Sequence, residues 1–192
     1  MNMSALNSSH LPAMHVHYMA LSPEDFYLRF GVPKTPGGEG HVQMYLGLHV
    51  QRAMRTSTDK YFGAWDASGK HLQVIVALNR VGDASSKTFE SSISALPEAR
   101  GGLVAGLSDW LRGELIKQGA TDLVMTYQEG NRPVQRLVDQ FGMAEERIEG
   151  IVFYRMKVNA NAQVLELWQA RFGQLLEGAK KELAELPSTA KL

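Results

Sequence analysis

Two hydrophobic periods share this chain, and its elements can be read from where one gives way to the other. HLQVIVAL (71–78) carries Leu72, Val74, Val76 and Leu78 in strict alternation, as a strand with one buried face requires. With KYFGAW (60–65) it flanks Asp66-Ala67-Ser68-Gly69, a polar turn with glycine where positive φ is favoured, so the pair predicts a hairpin. TFESSISAL (88–96) predicts a third strand, with Phe89, Ile93 and Ala95 on one face and Glu90, Ser92 and Ser94 on the other. DLVMTY (122–127) is almost continuously apolar, which predicts an interior strand covered on both faces, and IVFYRMKV (151–158) predicts the last strand. Near the start, AMHVHYM (13–19) reads as a first strand, with His15 and His17 sharing one face.

The other period is helical. LSPEDFYLRFG opens with Ser22 as N-cap, Pro23 at the first helical position and Glu24 and Asp25 in the first turn, and it carries Phe26, Tyr27 and Phe30 on one face. VPKTPGGEG (32–40) is a loop by its prolines and glycines, and a second helix is expected over 41–54. Val104, Leu107, Leu111 and Leu115 repeat at helical spacing over 104–118, where Gly119 ends the run. A shorter helix follows over 133–141, with Val134, Leu137, Val138 and Phe141 on one stripe and Gly142 as its stop. Finally, Leu165, Trp168, Phe172, Leu176, Ala179, Leu183 and Leu186 form one seam over 162–186. Such a seam packs on its own domain or, as the sharper alternative, pairs with a second copy in a homodimer.

Composition narrows the chemistry. The 192 residues include no cysteine, which removes thiol nucleophiles, cysteine-ligated zinc and disulfides together. Twenty basic and twenty acidic side chains balance to zero, which argues against a dedicated nucleic-acid binder. No stretch approaches the ~20 apolar residues of a membrane span, and the opening residues lack a signal peptide's pattern, so a cytoplasmic location is the expectation. His10, His15 and His17 have no carboxylate at ligand spacing, so no metal site is expected. GDASSKT (82–88) lacks the glycine before Lys87 and precedes a strand, so it is no phosphate-binding P-loop.

The order strand, helix, helix, three strands, helix, strand, helix, strand predicts an α/β domain with a mixed sheet. Two segments sharpen it: EARGGLVAGLSDWLRGELIKQGATDL, a glycine-rich turn between strand and helix, and NRPVQRLVDQFGM (131–143). Together they resemble the GNAT superfamily of N-acetyltransferases, in which a turn of the pattern Q/R-x-x-G-x-G/A opens a helix and an asparagine-led helix follows the next strand. LSPEDFYLRFG is similar to the first helix of relatives that acetylate protein lysines. The resemblance implies an α/β (α+β) class fold. Its centre is a mixed, mostly antiparallel sheet flanked by helices, forming a domain over 1–160, with an additional C-terminal helix and tail over 161–192.

Physically, such a turn binds anions, because the first N–H groups of a helix lack partners and its dipole adds positive charge. The resemblance therefore implies acetyl-CoA as acyl donor, held by Ala95, Leu96, Arg100, Gly101, Gly102, Leu103, Val104, Ala105, Gly106 and Asn131. Two registers fit the turn. Arg100–Ala105 places Leu103 where the first glycine belongs, whereas Ala99–Val104 keeps Gly102 and loses the Gln/Arg and the final glycine. In relatives the strand before the turn splays from its neighbour, and the pantetheine arm lies along it like an extra strand. Glu90 matches the family's glutamate that acts as base, although the position also suits a solvated strand face. Asn131 equally suits a helix N-cap. The family's tyrosine seven residues after the asparagine is replaced by Val138, leaving Tyr127 or Tyr154 as substitutes. The function implied is direct acetyl transfer to a primary amine on a small molecule, an amino acid or a protein lysine. The alternatives are a GNAT-fold acyl-CoA sensor or protein-interaction module and, resting on the C-terminal seam alone, a structural dimerisation protein.

Overall fold

Among the described residues seven strands form: β1 (Ser4–Leu6), β2 (Asp59–Trp65), β3 (Leu72–Arg80), β4 (Thr88–Ala95), β5 (Asp122–Gln128), β6 (Ala144–Ile148) and β7 (Ile151–Lys157). The computed structural model describes residues 2–35, 37–56, 59–100, 103–139 and 144–158 and joins the strands as β1-β2-β3-β4-β5-β7-β6. Every pairing is antiparallel except β4 with β5, so the sheet is mixed and mostly antiparallel, as expected. The expected hairpin joins β2 and β3, with Gly69 at φ 69° in its turn, a backbone region that a residue without Cβ enters at no cost.

Alternation along the strands sends side chains to two cores. On one face Val74, Val76, Leu78 and Phe89 meet Leu107, Leu111 and Leu115 of α5 (Leu103–Lys117) and Val138 of α6 (Arg132–Asp139). On the other face Tyr61, Ile75 and Ala77 meet a layer built from α1 (Leu11–Ala20), α2 (Pro23–Phe30), α3 (Gly38–Met44), a π-helical turn (Tyr45–Val50) and α4 (Gln51–Thr56). Each fully buried aliphatic or aromatic side chain contributes about 1.5–3 kcal/mol, so both faces are held mainly by this packing.

Several expectations change. Residues 13–19 are not a strand but part of α1. The buried positions are Met14, His17 and Tyr18, at helical spacing, and Val16, which strand alternation would bury beside Met14 and Tyr18, is 57% exposed. The strand that pairs with β2 is the shorter Ser4–Leu6 upstream. A further strand, β6, precedes β7. The helical run expected over 41–54 begins at Gly38 and contains the π turn. Ser22 caps α2 as expected, its Oγ accepting the Asp25 N–H at 3.1 Å. On that helix Phe26 is buried, whereas Tyr27 turns outward. β5 is not covered on both faces: Leu123, Met125 and Tyr127 are buried while Val124 is half-buried and Thr126 exposed. Phe141 and Gly142, the seam of 162–186 and the domain boundary drawn there lie outside the described residues. No helix among the described residues is long and apolar enough to cross a membrane.

Candidate functional site

The site begins where two parallel strands stop pairing. β4 and β5 share only the register Thr88↔Asp122, Phe89↔Leu123 and Glu90↔Val124, yet β4 runs on to Ala95 and β5 to Gln128. Hydrogen bonds at both ends of β4 fix what faces the gap. The Leu96 N–H donates to the Gln73 carbonyl, and the Thr88 carbonyl accepts from Val81, so even-numbered residues turn their backbone groups toward β3. The odd-numbered Ser91, Ile93 and Ala95 turn theirs toward β5, which has already diverged. This is the splay that the resemblance implies.

A cavity of about 240 Å³ occupies the opening. Ser91–Ala95 form one wall and Met125, Thr126 and Tyr127 the other. Leu107 of α5 and Asn131, Pro133, Val134 and Arg136 at the start of α6 close one side; Leu21 with Asp25, Leu28 and Arg29 of α2 close the opposite side. The gap therefore opens towards both helical layers. The Ser91 hydroxyl is buried in this wall without a hydrogen-bond partner among the described residues, an uncommon cost unless a ligand supplies one.

The charges are unevenly placed. Arg100 follows a 3₁₀ turn at Pro97–Ala99 and folds back, its Nη2 lying 2.6 Å from Asp25 Oδ1 and 3.2 Å from the Ala95 carbonyl. Ser22 Oγ donates to the other Asp25 oxygen at 2.6 Å, so this carboxylate is fully engaged. Arg29 lies among rings, 5.8 Å from the Tyr18 centroid, 5.4 Å from Phe30 and 5.2 Å from Tyr45, and donates to Tyr45 Oη at 2.6 Å. Burial pushes the Tyr18 hydroxyl well above its ordinary range, so that ring stays neutral. Next to this layer, His17 is buried between the Leu72 carbonyl, 2.9 Å from Nδ1, and Ser94 Oγ, 2.8 Å from Nε2. A carbonyl only accepts, so Nδ1 carries the proton and Nε2 accepts from Ser94. Burial lowers the ring's pKa to about 4, which keeps it neutral.

Of the residues expected to hold cofactor, Ala95, Arg100 and Asn131 line the cavity. Asn131 also caps α6, its Oδ1 accepting from the Val134 N–H at 3.4 Å. Leu96 instead packs into the core beneath α1–α4. Leu103, Val104, Ala105 and Gly106 form the first turn of α5, and Gly101 and Gly102 lie outside the described residues. Glu90 sits at the closed root of the splay, opposite Asn79, one residue before the lining starts. Tyr127 lines the cavity and donates to Gln135 Oε1 at 3.0 Å, whereas Tyr154 is core. Val138, at the family's tyrosine position, is buried in the core. Sequence reasoning missed Arg29, Asp25 and Ser91. Arg29 left a signal, because it stands three residues after the buried Phe26 and so falls on a core-facing stripe where a cation is out of place.

No family model matches the sequence, and no curated protein does. Solved structures with the same architecture include the GNAT domain of S. lividans PAT, at 14% identity, covering 81% of this chain and 89% of that one with a TM-score of 0.64. Another is the ribosomal-protein-S5-alanine acetyltransferase from Vibrio fischeri, at 12% identity over 82% and 92% of the two chains with a TM-score of 0.61. A third is the spermidine N-acetyltransferase from Vibrio cholerae in complex with CoA and spermine, at 17% identity over 81% and 94% with a TM-score of 0.60. The fold of this chain is the GNAT fold.

Proposed function

We propose that this protein is an acetyl-CoA-dependent N-acetyltransferase acting on a primary amine. The observation that carries the reading is the parting of β4 and β5 after Glu90, which leaves the backbone groups of Ser91, Ile93 and Ala95 facing a cavity. A pantetheine arm bears amides that pair with such a strand edge as an added strand would. The fold neighbour bound to CoA lends support. Acyl transfer then needs little covalent work from the protein. A neutral amine attacks the thioester carbon, the C–N bond forms as the C–S bond breaks, the thiolate leaves and the attacking nitrogen gives up a proton.

In this reading the first turn of α5 faces the cofactor's phosphates, and Arg100 bridges from the Ala95 carbonyl to Asp25 on the α2 side. Glu90, on the same strand face as Ser92, takes the amine proton through water. Tyr127 is better placed than Tyr154 to donate to the thiolate. A second reading, an acyl-CoA sensor without turnover, draws on the burial of Val138, since an apolar core residue replaces a hydroxyl there.

Calorimetry tests the first step. Acetyl-CoA should bind saturably, and replacing both Gly101 and Gly102 by valine should weaken it at least about tenfold, roughly 1.4 kcal/mol, by blocking backbone approach to pyrophosphate. A thiol-release assay separates the two readings: turnover should rise with pH as more amine is neutral, and Glu90→Gln should lower kcat at unchanged cofactor affinity. Tight binding with no turnover across a broad amine panel would favour the sensor.

A further inference from the structure

We propose that Arg29 is the recognition point for a carboxylate on the acceptor, so that this site takes amino acids or related amino-carboxylates rather than polyamines. The proposal rests on the acyl-transfer reading and narrows its substrate class.

Arg29 is a half-buried cation without a counter-ion. Its guanidinium carries five N–H donors. Among the described residues its hydrogen-bond partner is the Tyr45 hydroxyl, and no carboxylate pairs with it. Asp25 stands one helical turn away but is held by Arg100 at 2.6 Å and by Ser22. The rings of Tyr18, Phe30 and Tyr45 surround the guanidinium at cation–π distance, yet they leave its charge uncompensated. Removing a charge from water without an opposite charge is costly, and an incoming anion that binds in fork geometry relieves that cost.

The position of Arg29 decides which anion. The cavity passes between β4 and β5, with Leu107 and Val134 of the α5–α6 layer on one side and Arg29 of α2 on the other. The first turn of α5, where phosphates belong, is on the side away from Arg29. What approaches from the α2 side is the acceptor. Its amine must reach the carbonyl held at the splay while another of its groups meets Arg29, so it carries a carboxylate near the amine. The charge count points the same way. On the α2 side the charged groups lining the cavity are Arg29 and Asp25, and Asp25 is already paired with Arg100. A polycation would meet repulsion there.

The test uses acceptors matched except for the carboxylate: L-amino acids, their carboxamides, and spermidine, each with acetyl-CoA in the thiol-release assay. The carboxamide's amine is the more acidic, so more of it is neutral at a given pH, which biases the assay against the expected result. Wild type should favour the acid over the amide by about tenfold or more in kcat/KM. Arg29→Gln should collapse that ratio towards one through KM, and Arg29→Lys should restore part of it. Tyr45→Phe, which loosens the guanidinium without removing it, should shrink the ratio by a few-fold and serves if Arg29→Gln does not fold. Equal use of acids and amides, or an equal fall for both in Arg29→Gln, overturns the proposal and leaves acyl transfer standing. Calorimetry with N-acetylated amino acids supplies a readout free of turnover. Binding that is lost in Arg29→Gln, in a protein that neither binds acetyl-CoA nor turns over, keeps the carboxylate site and overturns the enzyme. If the N-acetylated amino acids do not bind either, both readings fall.

Discussion

The two faces of the sheet both bury aromatic rings among aliphatic side chains and differ in the polar groups they carry beside them. Beneath α5 and α6 the core is mostly aliphatic, with Val74, Val76, Leu78, Leu111, Leu115 and Leu123 at its centre, and it also buries Phe62, Phe89, Tyr127 and Tyr154. Beneath α1–α4 the buried set includes Tyr18, Phe26 and Tyr61, with Phe30 and Tyr45 packed against it, and polar groups reach the same depth: His17 and Ser94 are buried and Arg29 stacks among the rings. The first face is built for cohesion. The second carries the buried His17–Ser94 hydrogen bond and the ring-stacked Arg29, and it supplies the α2 wall of the cavity.

The largest effect should come from breaking the aliphatic face. Leu111 is fully buried and does not line the cavity, so Leu111→Ala should cost about 3–5 kcal/mol in urea unfolding, through lost transfer energy and the hole left behind. Acetyl-CoA affinity measured well below the melt should not change. A loss under about 1 kcal/mol would mean that this face is not what holds the sheet.

The second effect should appear only on the polar face, and only with pH. The folded His17 ring titrates near pH 4, pushed down by burial, partly offset by its bond to the Leu72 carbonyl, and pushed further by Arg29. The unfolded ring titrates near 6.5. Between these values the unfolded chain takes a proton that the folded state refuses. Stability present above pH 6.5 is therefore lost as pH falls towards 4, by about 3 kcal/mol at the lower end. Comparing urea unfolding of wild type and His17→Gln from pH 7 to 4 isolates this ring from the carboxylates. Parallel curves would refute a neutral buried His17.

How much of this was legible in the sequence divides along the same line. The aliphatic face was read almost whole: Leu72–Leu78 and Val104–Leu115 have clean periods, and periodicity is what apolar burial leaves behind. Of the residues named around the glycine-rich turn, Ala95 and Arg100 line the cavity, while Gly101 and Gly102 lie outside the described residues. The face beneath α1–α4 was misread at its first element, because His15, Val16 and His17 mix polar and apolar types and mimic alternation, although α1 buries His17 through two hydrogen bonds. Arg29 and Asp25 went unassigned because their roles depend on Tyr45 and Arg100, partners 16 and 75 residues away. The β6–β7 hairpin was missed because Ala144–Ile148 is mostly charged.

The smallest effect sharpens the comparison at the boundary of the polar face. Ser22→Ala removes the side-chain cap of α2 and one of the bonds to Asp25, and should cost about 1 kcal/mol in thermal melts. No loss at all would mean that packing of Phe26, rather than the cap, sets where α2 begins and hence where Arg29 stands.

The parting of β4 from β5 also has a mechanical side. The ladder β1–β4 and the ladder β5–β7 are joined by three residue pairs, whereas β2–β3, β3–β4 and β5–β7 each run to seven. Seen as a fabric, the sheet is two stiff panels sewn along a short seam whose stitches stop at Glu90 and whose open end is the cavity. A force that peels the panels apart concentrates on the last stitch. A molecule pairing with both the open edge at Ser91, Ile93 and Ala95 and the facing edge of β5 would lengthen the seam and move that stress outward, so filling the cavity would raise the resistance of the sheet to tearing.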